Sequence, residues 1–121
     1  MNLLIVEDSV LISGLLHDLL AGLPGIGRID QAATLALALQ SVRREAPTLV
    51  ILDLQLPDGN GMQIIGTLKQ LSPELRIAVL TLHADNAYRQ QCLALGADWF
   101  FDKATDIDEL LCQVRQQAAL Y

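Results

Sequence analysis

Short apolar runs alternate along the chain with stretches whose apolar residues recur every three or four positions. The runs are Leu3-Leu4-Ile5-Val6, Leu49-Val50-Ile51-Leu52, Ile77-Ala78-Val79-Leu80 and Trp99-Phe100-Phe101. Brief apolar runs bounded by polar turns read as strands buried on both faces, the form that parallel sheets take. A weaker strand is expected over residues 28–33. Between the strands, Ile12, Leu15, Leu16, Leu19, Leu20 and Leu23 keep helical spacing until Pro24-Gly25 stops them, with Asp8-Ser9 as an N-cap pair. Helices are also predicted over residues 34–45, bounded by Pro47, and over 62–71, closed by Ser72-Pro73. Pro57-Asp58-Gly59-Asn60-Gly61 makes a turn-rich loop, and residues 85–95 end on Gly96, a C-cap. The last helix opens with Asp106-Ile107-Asp108-Glu109, a capping-box pattern, and sets Ile107, Leu110, Leu111, Val114 and Ala118 on one face.

Five strands and five helices in strict alternation are the sequence form of repeated βαβ units. One helix is set apart: over residues 85–95, Ala87, Tyr88, Cys92, Leu93 and Leu95 make no clean apolar face. A helix weakly committed to the core moves at low cost. No repeat, low-complexity tract or linker interrupts the pattern, and the 121 residues read as one domain.

Composition narrows the classes. A hydrophobic content of 52% fits a globular domain, and no apolar stretch approaches the roughly 20 residues of a membrane helix. The start of the chain has no basic leader and carries Glu7-Asp8, so no secretion signal is expected. Cys92 and Cys112 share no motif and read as reduced thiols, consistent with a cytoplasmic location. A net charge of −6 argues against the domain itself gripping nucleic acid.

Charge matters most where the strands stop. The first run leads into Glu7-Asp8, the second into Asp53, the third into Thr81, and the last into Asp102-Lys103. In an open parallel sheet, ligand chemistry gathers beyond the carboxyl ends of the strands. Taken singly, Asp53 could be a turn-capping aspartate, Glu7-Asp8 a solvated acidic turn, Thr81 a β-branched strand residue and Lys103 a surface lysine. Together they form a pocket of three carboxylates, a hydroxyl and an ammonium. Carboxylates brought this close repel each other unless a hard cation neutralises them, and magnesium, an oxygen-ligand cation that commonly pairs with phosphate, fits best. A phosphoryl group on Asp53 would need a hydrogen-bond donor and a further cation, which Thr81 and Lys103 supply.

At these residues the chain resembles the receiver domain of bacterial two-component response regulators. The matching pieces are Glu7-Asp8, Asp53 with Pro57 and Gly61 behind it, Thr81, and Lys103 after Ala94-Leu95-Gly96-Ala97-Asp98. The resemblance implies a flavodoxin-like (CheY-like) doubly wound sheet in strand order 2-1-3-4-5, with helices on both faces. It implies that Asp53 accepts a phosphoryl group from a sensor histidine kinase or phosphotransfer protein. Asp8, Asp53 and the backbone carbonyl of Gln55 would bind Mg2+, Glu7 would act through water, and Thr81 and Lys103 would contact the phosphoryl oxygens. Phe100 matches the aromatic switch position. The domain would catalyse only its own phosphorylation and dephosphorylation, and it would switch a partner surface, by forming a homodimer or by docking an output domain. DNA would be contacted only through such an output domain outside this chain.

Two features depart from the pattern. Ala104 replaces the proline that often follows the lysine, which with Leu82-His83-Ala84-Asp85 looks most like the subclass with LuxR-type helix-turn-helix output. Leu82 is bulky where a small residue is frequent, and is expected to narrow access to the phosphoryl group.

Rival readings are a magnesium-dependent phosphohydrolase with an aspartyl nucleophile, a flavin or nucleotide module on the same fold, and a receiver-like module that is never phosphorylated. The hydrolase would want a second Asp where Gln55 stands. The nucleotide module would want a phosphate loop where Glu7-Asp8-Ser9 has the wrong sign, and the complete acidic set weighs against the last.

Overall fold

The computed structural model describes residues 1–120. The elements are β1 (Leu3–Val6), α1 (Val10–Ala21), β2 (Ile29–Ala32), α2 (Leu35–Arg44), β3 (Leu49–Leu52), β4 (Gln55–Leu56), β5 (Gly59–Asn60), α3 (Met62–Leu71), β6 (Arg76–Thr81), α4 (Asn86–Leu95), β7 (Trp99–Asp102) and α5 (Ile107–Ala118). The main sheet is wholly parallel in the order β2-β1-β3-β6-β7, which is the expected 2-1-3-4-5 once the small β4-β5 hairpin is left out. That hairpin is an addition to the expected loop, pairing Gln55 with Asn60 and Leu56 with Gly59.

The apolar runs are continuous because the sheet is covered on both faces. Leu4, Val6, Val50, Leu52, Ile77, Val79 and Phe100 point to one side, where Ala38, Val42, Ile65, Leu68 and Cys92 of α2, α3 and α4 meet them. Leu3, Ile5, Leu49, Ile51, Ala78 and Leu80 point to the other, against Leu16 and Leu20 of α1 and Leu110 and Val114 of α5. Each residue shift along a strand changes sides, so the register is fixed by both cores at once. Truncating a wholly buried side chain such as Leu20 or Ile65 to alanine would cost about 2–5 kcal/mol.

Most helix ends follow the sequence signals. Ser9 Oγ accepts from Ile12 N–H, Thr34 Oγ1 from Leu37 N–H and Asp85 Oδ1 from Tyr88 N–H. Gly96 closes α4 at φ +118°, the left-handed geometry that favours glycine. Two expectations change. Leu15 is mostly exposed rather than in the apolar stripe of α1, because the buried face runs through Ser13, Leu16 and Leu20. The capping box at Asp106 does not form: its Oδ2 instead accepts from Asp102 N–H at 2.8 Å, while Asp102 Oδ1 accepts from Ala104 N–H at 2.8 Å. The turn carrying Lys103 is thus laced together by two aspartates. It has no cis bond, so Lys103–Ala104 is trans.

A candidate cation and phosphoryl site at the strand ends

Register brings the acids together. Val6 of β1 pairs with Leu52 of β3, and the ladder runs one step further where Asp53 N–H donates to Val6 O at 3.0 Å. Glu7 and Asp53 therefore leave adjacent strands at the same height. One carboxylate oxygen each from Glu7, Asp8 and Asp53 lies within 4.8 Å of the others. From the other half of the sheet, Thr81 pairs with Asp102, and Lys103 N–H donates to Thr81 O at 2.9 Å. This aims Lys103 back over the sheet, where Nζ bonds Glu7 Oε1 and lies 3.0 Å from Asp53 Oδ2.

The cluster is shielded. The side chains of Lys103, Glu7 and Asp53 are only 9%, 3% and 8% exposed, so their charges interact with little screening by water. Burial by itself would lower the pKa of Lys103, but the hydrogen bonds and charges of Glu7 and Asp53 outweigh it and raise the ammonium above its usual value. Glu7 is pushed upward chiefly by burial, with the charge of Asp53 adding and the bonds from Lys103 and Ser9 opposing. Three carboxylates against one ammonium leave two negative charges unmatched, and the hard oxygen donors suit a divalent cation of the magnesium or calcium type. Among the described residues, Glu7 is already engaged at both oxygens, Oε1 by Lys103 and Oε2 by Ser9 N–H at 3.1 Å, whereas Asp8 is exposed and takes no hydrogen bond. Asp8 is the acid most open to a direct ligand bond.

The remaining expected residues are placed as follows. Gln55 N–H reaches Asp53 Oδ1 at 3.4 Å, so the β4 strand starts against the acid. Gly61 lacks a side chain for reasons of space: a Cβ there would collide with the Asp53 carbonyl. Thr81 is wholly buried, and its hydroxyl accepts from His83 N–H at 3.2 Å rather than touching Asp53 or Lys103. Phe100 lies inside the core, one strand residue away from Trp99, which is half-buried. Leu82 is 64% exposed, so its bulk stands at the surface. Sequence reasoning missed Ser9 as a partner of Glu7, and Asp58, which bonds the first turn of α2. An Asp-Gly pair in a turn was the available signal for Asp58, but it does not say where the carboxylate reaches.

Residues 3–115 match the family described as response regulator receiver domain. A transcriptional activator, ExaE of Pseudomonas putida, is 36% identical over 98% of this chain and 56% of its own length. The crystal structure of a response regulator from Burkholderia pseudomallei, with a phosphorylated aspartic acid, calcium ion and citrate, superposes with a TM-score of 0.85 at 29% identity, covering 98% of this chain and 68% of that one. A LuxR-family two-component response regulator from Aurantimonas sp. SI85-9A1 has a TM-score of 0.89 at 24% identity, over 98% and 84% of the two chains, a likeness of fold. The chain spans only 25% to 56% of the first curated relatives, which include methylesterases as well as the activator. Matched over nearly its whole length, with the strand ends converging on an acidic cluster, the chain belongs to the response regulator receiver domain family.

Proposed function

We propose that Asp53 is the phosphoryl acceptor of a single receiver domain spanning residues 1–121. The observation that carries this is the position of its buried carboxylate, which shares the Lys103 ammonium with Glu7 and lies within 4.8 Å of a carboxylate oxygen of Glu7 and of Asp8. An Asp53 oxygen attacks phosphorus, and the bond from phosphorus to the donor's imidazole nitrogen breaks, its electron pair leaving with the nitrogen. Lys103, already 3.0 Å from Asp53 Oδ2, follows the charge onto the phosphoryl oxygens. Thr81 Oγ1 is an acceptor at present, which leaves its proton free to donate to the same oxygens. Asp8, Asp53 and the Gln55 carbonyl would hold Mg2+ directly, with Glu7 reaching it through water. The bound cation would neutralise the acids and the developing phosphoryl charge.

The donor is a sensor histidine kinase or phosphotransfer protein in the cytoplasm. Among the described residues no helix is long and apolar enough to cross a membrane. The surface to be switched lies along α4, β7 and α5, where Arg89, Leu93, Trp99, Phe101, Asp106 and Glu109 line a groove of about 360 Å³. A second copy of the domain, or a DNA-binding output domain of LuxR type, would dock there. The domain turns over no external metabolite; any enzymatic output would come from a further domain, as in the methylesterase relatives. A phosphohydrolase is disfavoured because Gln55, which cannot act as a general acid, stands two residues after Asp53.

Incubation with acetyl phosphate and magnesium should add one phosphoryl group by intact mass, stable in acid and labile in base. Asp53→Asn should gain none. Equal labelling of the two proteins would remove Asp53 from the role.

A further inference from the structure

Asp58 stands outside the acid cluster, at the tip of the hairpin that follows Asp53. Both of its carboxylate oxygens are committed to the first turn of α2: Oδ1 accepts from Leu35 N–H at 2.8 Å and Oδ2 from Ala36 N–H at 3.1 Å. These partners lie 23 and 22 residues away in the chain, so the contact is a tertiary tie. The helix has its own cap in Thr34, whose Oγ1 serves Leu37 N–H at 3.1 Å. The tip lies flush on the helix. A Cβ on Gly59, at φ +145°, would come within 3.2 Å of Leu35 Cδ1 and 2.5 Å of Gln63 Oε1.

The hairpin needs such an anchor. It holds two residue pairs, Gln55 with Asn60 and Leu56 with Gly59, and an isolated two-stranded ribbon of that length has little stability of its own. Its base is tied by Gly61 N–H to Leu54 O at 2.8 Å. Asp58 ties the tip. The hydrogen bonds from Leu35 and then Ala36 hold the Asp58 carboxyl below its usual range, so the tie is fully charged near neutral pH.

We infer that Asp58 is a positioning residue for cation binding: fastening the hairpin tip to α2 holds the Gln55 carbonyl within reach of the ion that Glu7, Asp8 and Asp53 surround. This rests on the reading of that site given above. Groups that orient a ligand without touching the ion commonly set about tenfold in metal affinity.

The test compares two tethers on the same helix. Asp58→Ala, Asp58→Asn and Thr34→Ala are titrated with magnesium chloride, following the amide resonances of Asp53 and Gln55, and each is melted thermally. Asp58→Ala should weaken magnesium binding about tenfold. Asp58→Asn keeps the size and one acceptor, so it should weaken binding less, and it carries the test should the alanine variant fail to fold. Thr34→Ala should melt lower than the wild type yet bind magnesium equally well. Unchanged affinity in both Asp58 variants, or an equal loss in Thr34→Ala, would overturn the inference, the latter because helix stability alone would then account for it. A wild type that binds no magnesium would overturn the site reading, and the inference with it.

Discussion

Glu7 and Asp8 are neighbours in sequence but hold different positions in the acid cluster. Glu7 is buried with both oxygens taken, by Lys103 and by Ser9 N–H, while Asp8 is exposed. Replacing Asp8 with asparagine should therefore weaken magnesium binding more than Glu7→Gln does, because the first removes a charge from a direct ligand and the second from one that acts through water. A titration that ranked them the other way would exchange their roles. The acids and the lysine were legible in the sequence because each follows a strand directly, and strand ends share one edge of a parallel sheet. Asp58 was not legible, since its partners are backbone N–H groups on an element more than twenty residues away. Asp106 misled for a related reason. The capping-box pattern is local, but its carboxylate found a better donor in Asp102 N–H.

At the scale of elements, strands buried on both faces stood out as apolar runs, and so did the aromatic run of the edge strand β7, while β2 and the hairpin were faint or silent. β1, β3 and β6 carry unbroken apolar runs, whereas β2, Ile29-Asp30-Gln31-Ala32, is an edge strand with Gln31 exposed. The β4-β5 hairpin has two residues per strand, too few for any period to show. α4 fits its weak pattern, since Cys92 is its one buried residue. An element held by so little apolar surface opens and shifts more readily than its neighbours. Amide exchange with and without beryllofluoride should show its largest differences outside the pocket between Ala84 and Leu111. Largest differences on α1 instead would move the switched surface away from α4, β7 and α5.

For the molecule as a whole, Asp98 joins three elements at the start of β7. Its Oδ2 accepts from Lys69 Nζ and Ile77 N–H, both at 2.8 Å, and its Oδ1 from Arg76 at 3.1 Å. Burial alone would raise its pKa, but the bonds from Lys69 and Ile77 outweigh it and hold the carboxyl below its usual range. A lowered folded pKa contributes stability above the ordinary aspartate value and loses it as pH falls through the folded one. Asp98→Asn should therefore cost about 2 kcal/mol at neutral pH, and the gap between variant and wild type should close below about pH 4. Urea melts at the two pH values measure this; a gap that persisted in acid would mean that the bonds do not depend on the charge. The order in which the chain emerges during synthesis adds a last consequence. Glu7 and Asp53 adjoin as soon as β1 and β3 pair, but the ammonium between them lies 96 residues beyond Glu7, behind the edge strand β7. The strand made last carries the counter-charge for the strand made first, so trimming the domain back from β7 would strip the acids of their partner as well as opening the sheet.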